Sequence, residues 1–466
     1  MKTTIRLSTV IFAFALCLAS CNNFLDIQPK GILIPRTAAE YEGLLNYAQL
    51  QKASESYPVF LTDDAFLPDE AADDYTPGLD FADRATANLY TFQSEVFGDA
   101  EEDGLWTYSY NRLYYYNVII QHILEATEAT LQEKQSIRAE ALMGRAFEYL
   151  TLVNAYAKHY DPQTAATDPG VPLILDEDIN RENLTRATVQ EVYDQIQEDL
   201  KEAEKYLPAR PKLNAFRASK PVGLGMLARM YLYMGNYSEA LNYANQSLKQ
   251  NDYLLNLGDY EVVDPYQAIG RLNVPESSDN NENIYIRLAP WVFGISAEVF
   301  GSDDLLQLFD ENDQRFKLYF SNEPFGIPNE HYLWMPYLYA NMAMSTPEMY
   351  LIAAECEARI GSKDRAMTLI NQLRDHRIED NTPLSAASND EALVQVLEER
   401  RRELTMIGCT RLIDLKRLNK EPRFAKTITR VAEGQTYTLP PNDPRYVLPI
   451  PAKVLRFNPD MEPNIR

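Results

Sequence analysis

The clearest pattern along the chain is a helical spacing of apolar residues with charged residues between them. Three stretches have it, at residues 135–160, 188–207 and 392–407. Apolar positions three and four residues apart fall on one face of a helix, so each stretch predicts a helix with one buried face. The pattern therefore predicts a mostly α scaffold.

Two further segments share a pattern of small residues that predicts helical hairpins, at residues 221–248 and 347–377. In each, one Ala precedes a Gly by seven positions and another follows it by five; the two sets are Ala228, Gly235 and Ala240, and Ala354, Gly361 and Ala366. Small residues at a turn let two helices pack closely, as in tetratricopeptide repeats. Because the glycines are 126 residues apart, we expect a helical-hairpin scaffold with a long insertion at about residues 251–345.

Residues 61–97 and 251–346 lack this periodicity. Pro, Gly, Asn and Asp recur in them at short intervals, among many aromatic residues. This composition predicts long structured loops with short strands. Loops of that length are uncommon in compact domains unless they carry function, so we expect the ligand site there.

The first 21 residues have the layout of a secretory signal. Lys2 and Arg6 precede an apolar run at residues 10–18, and small residues follow up to Cys21. The run is shorter than the about 20 residues that span a bilayer. Residues 18–21 are similar to a bacterial lipobox, so we expect residues 1–20 to be removed and Cys21 to carry a lipid that tethers residues 21–466 to a membrane. The alternative is a Cys buried in the signal peptide.

The charge of the chain excludes one class of partner. Lys and Arg number 44 against 68 Asp and Glu, a net charge of −24, which becomes −26 when residues 1–20 are removed with Lys2 and Arg6. Such a surface repels phosphate backbones, so we expect no nucleic-acid partner. Cys356 and Cys409 could form one disulfide, but the helical spacing around Cys356 favours a small core residue.

Aromatic and acidic side chains of the two irregular segments are the candidates for a ligand site. Aromatic rings stack on the apolar faces of sugars, whose hydroxyl groups also need hydrogen-bonding neighbours. Trp106 is spaced helically with Tyr110 and Leu113, so we expect it in the core. The candidates are Trp291, Tyr332, Trp334 and Tyr337 in the insertion, and Asp73, Asp74 and Tyr75 in the first loop.

We find no sequence sign of catalysis. The four His residues have no metal-ligand spacing, and neither a Gly-x-Ser-x-Gly elbow nor a phosphate-binding Gly loop is present. With 68 carboxylates, acid pairs occur by chance, so a glycosidase cannot be read from spacing. We therefore expect no enzyme, metal or cofactor. The run at residues 398–403 predicts a charged helix face with i,i+4 pairs such as Glu398 with Arg402.

Seven pieces of the chain form a recognisable series, in this order: residues 24–31, 168–173, 227–232, 348–355, 399–404 with 414–417, 446–451, and Asn458 with Pro459. Together they resemble the SusD/RagB family of outer-membrane nutrient-binding lipoproteins from Bacteroidetes. Two positions depart from the family pattern. Ile407 precedes Gly408 where an acidic residue is common, and residues 462–464 replace a Gln-Asn pair.

The resemblance implies a single SusD-like domain over residues 21–466 and a non-enzymatic protein without cofactor. It would be lipid-anchored in the outer membrane, facing outward, and would pass a glycan or an oligopeptide to a SusC-like TonB-dependent transporter that it covers as a lid. The aromatic loops favour a glycan over a peptide. A protein–protein adaptor that uses the helical hairpins remains a further alternative.

Overall fold

Packed helices make up most of the chain in the computed structural model, which describes residues 35–53, 57–74, 76–267, 270–289, 299–335 and 340–466. The prediction for Cys21 lies outside the described residues. The helices are α1 (Ala38–Leu45), α2 (Arg84–Tyr90), α3 (Gly104–His122), α4 (Leu131–Tyr156), α5 (Val189–Tyr206), α6 (Lys220–Tyr233), α7 (Tyr237–Leu248), α8 (Asp303–Leu306), α9 (Gln314–Tyr319), α10 (Thr346–Ile360), α11 (Lys363–Arg374), α12 (Asn389–Glu403), α13 (Thr410–Leu418) and α14 (Ala452–Phe457).

The structure confirms the mostly α prediction and sharpens the helix boundaries. Helices α4, α5 and α12 correspond to the three stretches with helical spacing. Helix α4 begins at Leu131, earlier than its apolar pattern, because Thr130 and Glu133 form a capping box that satisfies free backbone N–H groups. Thr188 and Glu191 start α5 in the same way.

The helices form one array that continues across the insertion. Helix α3 packs on α4, α4 on α5, α5 on α6 and α6 on α7. Helix α7 then packs directly on α10, which begins only after the insertion, and α10 packs on α11 and α12. The two predicted hairpins are therefore α6–α7 and α10–α11, and they are neighbours in space.

The two glycines of the repeated pattern differ in backbone conformation and in their surroundings. Gly235 has φ +74°, a left-handed conformation that strains any residue with a Cβ. Gly361 has φ −121°, and a Cβ there would meet Oε2 of Glu357, the end of a flexible side chain that can move aside. A turn conformation therefore requires the first glycine, whereas the second is only crowded by a neighbouring side chain.

Short strands organise the irregular segments. Strands β1, β3, β5 and β4 form a four-stranded antiparallel sheet in that order, and β2, from within the insertion, pairs with β6, which directly precedes α10. Strands β7 and β8 form a hairpin near the end of the chain. The strands are β1 (Ala65–Phe66), β2 (Asn283–Tyr285), β3 (Phe300–Gly301), β4 (Phe320–Ser321), β5 (Leu333–Trp334), β6 (Met344–Ser345), β7 (Ile428–Ala432) and β8 (Gln435–Leu439).

Two predictions about the core are confirmed. Trp106 is buried, with its ring 4.8 Å from Tyr110 and 4.9 Å from Tyr156. Cys356 and Cys409 are buried free thiols, and burial raises the pKa of both. Both cysteines therefore pack as small apolar residues.

Candidate ligand-binding site

The four-stranded sheet joins the first irregular segment to the insertion, and we call it the junction sheet. Its strand β1 comes from the first segment, and β3, β4 and β5 come from the insertion. Phe66 lies opposite Phe300, and Phe300 lies opposite Leu333. Because successive side chains of a strand point to opposite faces, the sheet has two faces with different surroundings.

The inner face of the junction sheet is part of the main hydrophobic core. Trp334 lies opposite Phe320 and is only 2% exposed, so its ring has no free face on which a ligand could stack. This result is contrary to the sequence prediction for Trp334. Tyr332 lies on the same face, half-buried, with its ring 4.9 Å from Phe316. A ligand contact of Tyr332 stays a prediction.

The outer face carries a second, smaller hydrophobic cluster. Phe300, Leu333 and Met335 are buried at its base. Half-exposed rings lie over them, and we call these rings, of Phe66, Phe325 and His331, the aromatic face. His331 lies 4.5 Å from Phe66 and 5.5 Å from Phe300, measured between ring centroids.

The sequence analysis missed the aromatic face, although a signal for it was present. Residues 331–335 alternate in direction, so that His331, Leu333 and Met335 share one face while Tyr332 and Trp334 share the other. Treating this segment as a loop hid the alternation. Phe325 had no comparable signal, because its position depends on φ +56°, a left-handed conformation that only a few per cent of non-Gly residues adopt.

Two of the predicted aromatic residues belong to segments that adjoin the junction sheet in sequence. The segment with Trp291 ends directly before Val299, and the segment with Tyr337 begins directly after Met335. Trp291, Tyr337 and Tyr75 lie outside the described residues, so their roles stay predictions.

The predicted acidic residues of the first loop lie in a turn that contacts the carboxyl-terminal hairpin. Asp74 is exposed and Asp73 is half-buried. Nearby in the same turn, Asp69 accepts a hydrogen bond from the backbone N–H of Glu433 at 2.8 Å. Ligand contacts of Asp73 and Asp74 stay predictions.

Buried arginines fix the chain that leads into β1. The Nε of Arg401 donates to Asp64 at 2.6 Å, and the Nε of Arg411 donates to Asp63 at 2.8 Å. Lys426 also contacts Asp63, at 2.9 Å. Burial raises the pKa of Asp63, but Arg411 and Arg401 outweigh burial and hold it well below its usual range. Burial raises the pKa of Asp64.

Most of the charged run of α12 is buried or half-buried, and the predicted pairing of Glu398 with Arg402 is wrong. Glu398 is exposed, and Arg402 instead donates to Glu399 at 2.7 Å. Glu399 also pairs with Arg315 of the insertion at 2.7 Å, and Arg402 donates to the backbone oxygen of Leu308. These contacts cross long sequence distances, which an i,i+4 pattern cannot reveal. They attach the insertion to the scaffold.

Arg271 holds the end of the junction sheet. Its guanidinium donates to the backbone oxygens of Met335 at 3.0 Å and Phe320 at 3.4 Å, and also to that of Leu318. Burial lowers the pKa of Arg271 to about 10. The arginine therefore ties β4 to the residue that follows β5.

The described ranges contain neither a cluster of metal-binding side chains nor a helix that could span a membrane. Within them, no three His, Cys, Asp or Glu side chains come close enough together to hold a metal ion. No described helix has the length and apolar character needed to cross a membrane.

Comparison with protein families gives two matches of the same kind. A SusD-like model described as starch-binding and associating with the outer membrane matches residues 23–232. A SusD family model matches residues 340–465. A search of the curated proteins found no match.

Solved structures share the fold over nearly the whole chain. A SusD superfamily protein from Bacteroides thetaiotaomicron is 20% identical with a TM-score of 0.72, over 92% of this chain and 100% of that one. A SusD superfamily protein from Bacteroides fragilis is 21% identical with a TM-score of 0.72, over 92% and 100%. A SusD-like carbohydrate-binding protein from Bacteroides vulgatus is 22% identical with a TM-score of 0.68, over 91% and 97%.

Proposed function

The chain belongs to the SusD/RagB family, and from this premise we propose that it is a lipid-anchored protein that captures oligosaccharides at the outer membrane. We also propose that the protein delivers the oligosaccharide to a SusC-like TonB-dependent transporter, which the protein covers as a lid. The proposed capture site is the aromatic face of the junction sheet together with the adjoining segments that carry Trp291 and Tyr337.

The observation that carries the proposal is the half-exposed aromatic face over a buried base. Phe66 and Phe325 offer apolar ring surface, and His331 adds ring nitrogens that can hydrogen-bond to hydroxyl groups. Exposed polar side chains, Asn322 and Glu323, lie on the same connection between β4 and β5 as Phe325. Apolar rings with polar neighbours suit the alternating surface of a pyranose.

Support for the glycan over the peptide also comes from one relative. The protein from Bacteroides vulgatus that shares the fold is described as carbohydrate binding. Buried ion pairs such as Arg401–Asp64 hold the junction sheet to the helices, and a rigid support reduces the entropy that ligand binding has to overcome.

Binding measurements on residues 21–466 test the capture site. We expect a glycan array to identify an oligosaccharide ligand, and calorimetry to give its affinity. Phe66→Ala and Trp291→Ala should each weaken binding about thirtyfold, the effect of losing roughly 2 kcal/mol at a hot spot. The control is Phe457→Ala, which removes a ring that is 73% exposed on α14.

The outcomes separate the alternatives. If both site variants stay folded by circular dichroism and bind the glycan as tightly as Phe457→Ala, the aromatic face is not the site. Binding of peptides without any glycan would favour the oligopeptide alternative.

Cell fractionation tests the anchor and the partner. We expect Cys21→Ala to leave the outer-membrane fraction, because the lipobox cysteine would no longer accept a lipid. The wild-type protein should co-purify from native membranes with a TonB-dependent transporter. Retention of the variant would reject the anchor, and purification with soluble proteins alone would favour the adaptor alternative.

A further inference from the structure

A cavity of about 480 Å³ lies at the carboxyl-terminal end of α4, where the last residues of the chain meet α13. It is built from elements other than the junction sheet. Pro169, Val447 and Ile465 supply apolar wall, and Lys416, Arg186 and His159 supply basic groups. A volume of this size lies within the range of small-molecule sites.

Lys416 is a buried amine without a counter-ion. Its side chain is 6% exposed, and Nζ donates to the backbone oxygens of Asn154 and Ala157. No carboxylate of the described chain pairs with it. When protonated, the amine has three N–H donors, so two bonds to carbonyls leave one donor. Burial, with a smaller effect from Lys420, lowers the pKa of Lys416 to about 7, and a carboxylate bound beside Nζ would favour the protonated form.

Arg186 is a second cation whose partners are all neutral. Its guanidinium donates to the backbone oxygens of Gly170 at 2.7 Å, Pro169 and Glu462 at 3.0 Å, and Tyr156 at 3.2 Å. Within the described ranges it forms no ion pair with a carboxylate. Its positive charge is therefore uncompensated by direct contact.

Other lysines of the same cavity are already neutralised. Lys158 pairs with Asp168 at 2.7 Å, and Lys420 pairs with Asp161 at 2.8 Å. Arg186 has the carboxylate of Glu462 as an acidic neighbour in the cavity wall, although the two side chains form no ion pair. Lys416 is therefore the amine of this wall that lacks a carboxylate partner among the described residues.

His159 adds a buried polar atom to the cavity wall. The residue is 8% exposed, and its Nδ1 is buried without a hydrogen bond to any residue that the structure describes. Burial lowers the pKa of His159 well below its usual value, so the imidazole is neutral at pH 7. An unsatisfied buried polar atom costs about 1–3 kcal/mol, which a bound partner can recover.

We propose that this cavity binds a small carboxylate with an apolar body. The carboxylate accepts the remaining N–H of Lys416 and lies near Arg186 and His159, and the body rests against Pro169, Val447 and Ile465. Three carboxylates of the same wall, Asp161, Asp168 and Asp443, are already paired with basic side chains. A neutral ligand would fill the volume but leave Lys416 without a counter-ion, and the preference for an anion therefore rests on Lys416.

Phenylacetate and phenylacetamide test the proposal on the unaltered protein, residues 21–466. The two probes have nearly the same shape and differ in charge. We expect phenylacetate to bind at least about tenfold more tightly in calorimetry, which corresponds to about 1.4 kcal/mol. Equal affinity of the two probes, or no binding of phenylacetate at millimolar concentration, would overturn the proposal.

Variants and hydrogen exchange locate the binding. Lys416→Met should weaken phenylacetate binding at least about tenfold, while Lys453→Met, which removes an exposed charge on α14, should leave it unchanged. Phenylacetate should also slow hydrogen exchange in residues 442–447 and 462–466. If phenylacetate protects other residues but not residues 442–447 and 462–466, the ligand does not bind in this cavity and the proposal is overturned. This result stands even if Lys416→Met does not fold. Glycan binding at the aromatic face is measured separately and decides nothing about this cavity.

Discussion

Replacing Arg401 with Met should detach the chain that leads into β1 from helix α12. The Nε of Arg401 bonds to Asp64, and the guanidinium also lies 3.3 Å from Asp63. The side chains of Arg401 and Asp64 are only 11% and 1% exposed. Met keeps an apolar stem of similar length, so the change removes the charge while most of the packing remains.

The loss of stability depends on the ion-pair partners that Asp63 and Asp64 keep once Arg401 is removed. Asp63 keeps Arg411 and Lys426 as partners, whereas Arg411, at 3.7 Å, is the only cation among the described residues that Asp64 retains. Removing one member of a buried ion pair costs about 3–5 kcal/mol, because the other charge stays buried. With Arg411 still nearby, we expect the low end, a loss of about 3 kcal/mol in the free energy of unfolding.

Urea unfolding followed by far-ultraviolet circular dichroism at pH 7 measures this loss. The matched control is Arg423→Met, because Arg423 and Asp390 form an ion pair in which both side chains are exposed, at 43% and 84%. An exposed pair contributes less than about 1 kcal/mol. Adding Asp64→Asn to Arg401→Met should restore part of the stability. If Arg401→Met costs no more than the control, the reasoning about the buried pair is refuted.

Two further predictions concern stability. Burial raises the pKa of Asp414, but Arg400 and Arg417 outweigh burial and hold the pKa at about 2. The pKa of Asp in the unfolded chain is about 3.9, so the charged carboxylate contributes about 2–3 kcal/mol to the free energy of unfolding. This contribution is present above about pH 4 and is lost as the pH falls towards 2. Urea midpoints between pH 6 and 2 should show this loss, and Asp414→Asn should flatten the slope; equal slopes would contradict the assignment. The same Gly-to-Ala change should have opposite effects at two helical sites. At Gly144 the new Cβ would lie 2.3 Å from a buried tyrosine ring and should cost about 1–3 kcal/mol, whereas at exposed Gly43, with nothing within 4 Å, it should add about 0.5–1 kcal/mol. Thermal unfolding of both variants checks the signs.

The sequence was sufficient for those parts of the fold that depend on local pattern. Helices α4, α5 and α12 follow from apolar spacing, and their starts follow from caps such as Thr188 with Glu191. The direct packing of α7 on α10 did not follow from local pattern alone. Foreseeing this packing also required a comparison of two distant segments, which share one arrangement of small residues.

The candidate site was less predictable because it depends on contacts between distant segments. Trp334 has the composition of a stacking residue, but its strand direction turns it into the core. Phe66 gave no signal, since its half-exposed position arises only when β1 pairs with β3. The partners of Glu399 likewise come from the insertion, which no helical spacing within α12 could show.

The contacts between the insertion and the helical scaffold determine how readily the insertion, and with it the proposed binding specificity, can be replaced. Because Asn283 lies opposite Ser345 and α7 packs on α10, much of the insertion can be exchanged for another sequence while the helical array stays intact. The exchange has an electrostatic cost. A new insertion without a cation at the position of Arg315 would leave the buried carboxylate of Glu399 to its scaffold partners, Arg374 and Arg402. Natural diversification and engineering of specificity would both have to match the charges of the insertion to those of α12, independently of any contact with a ligand.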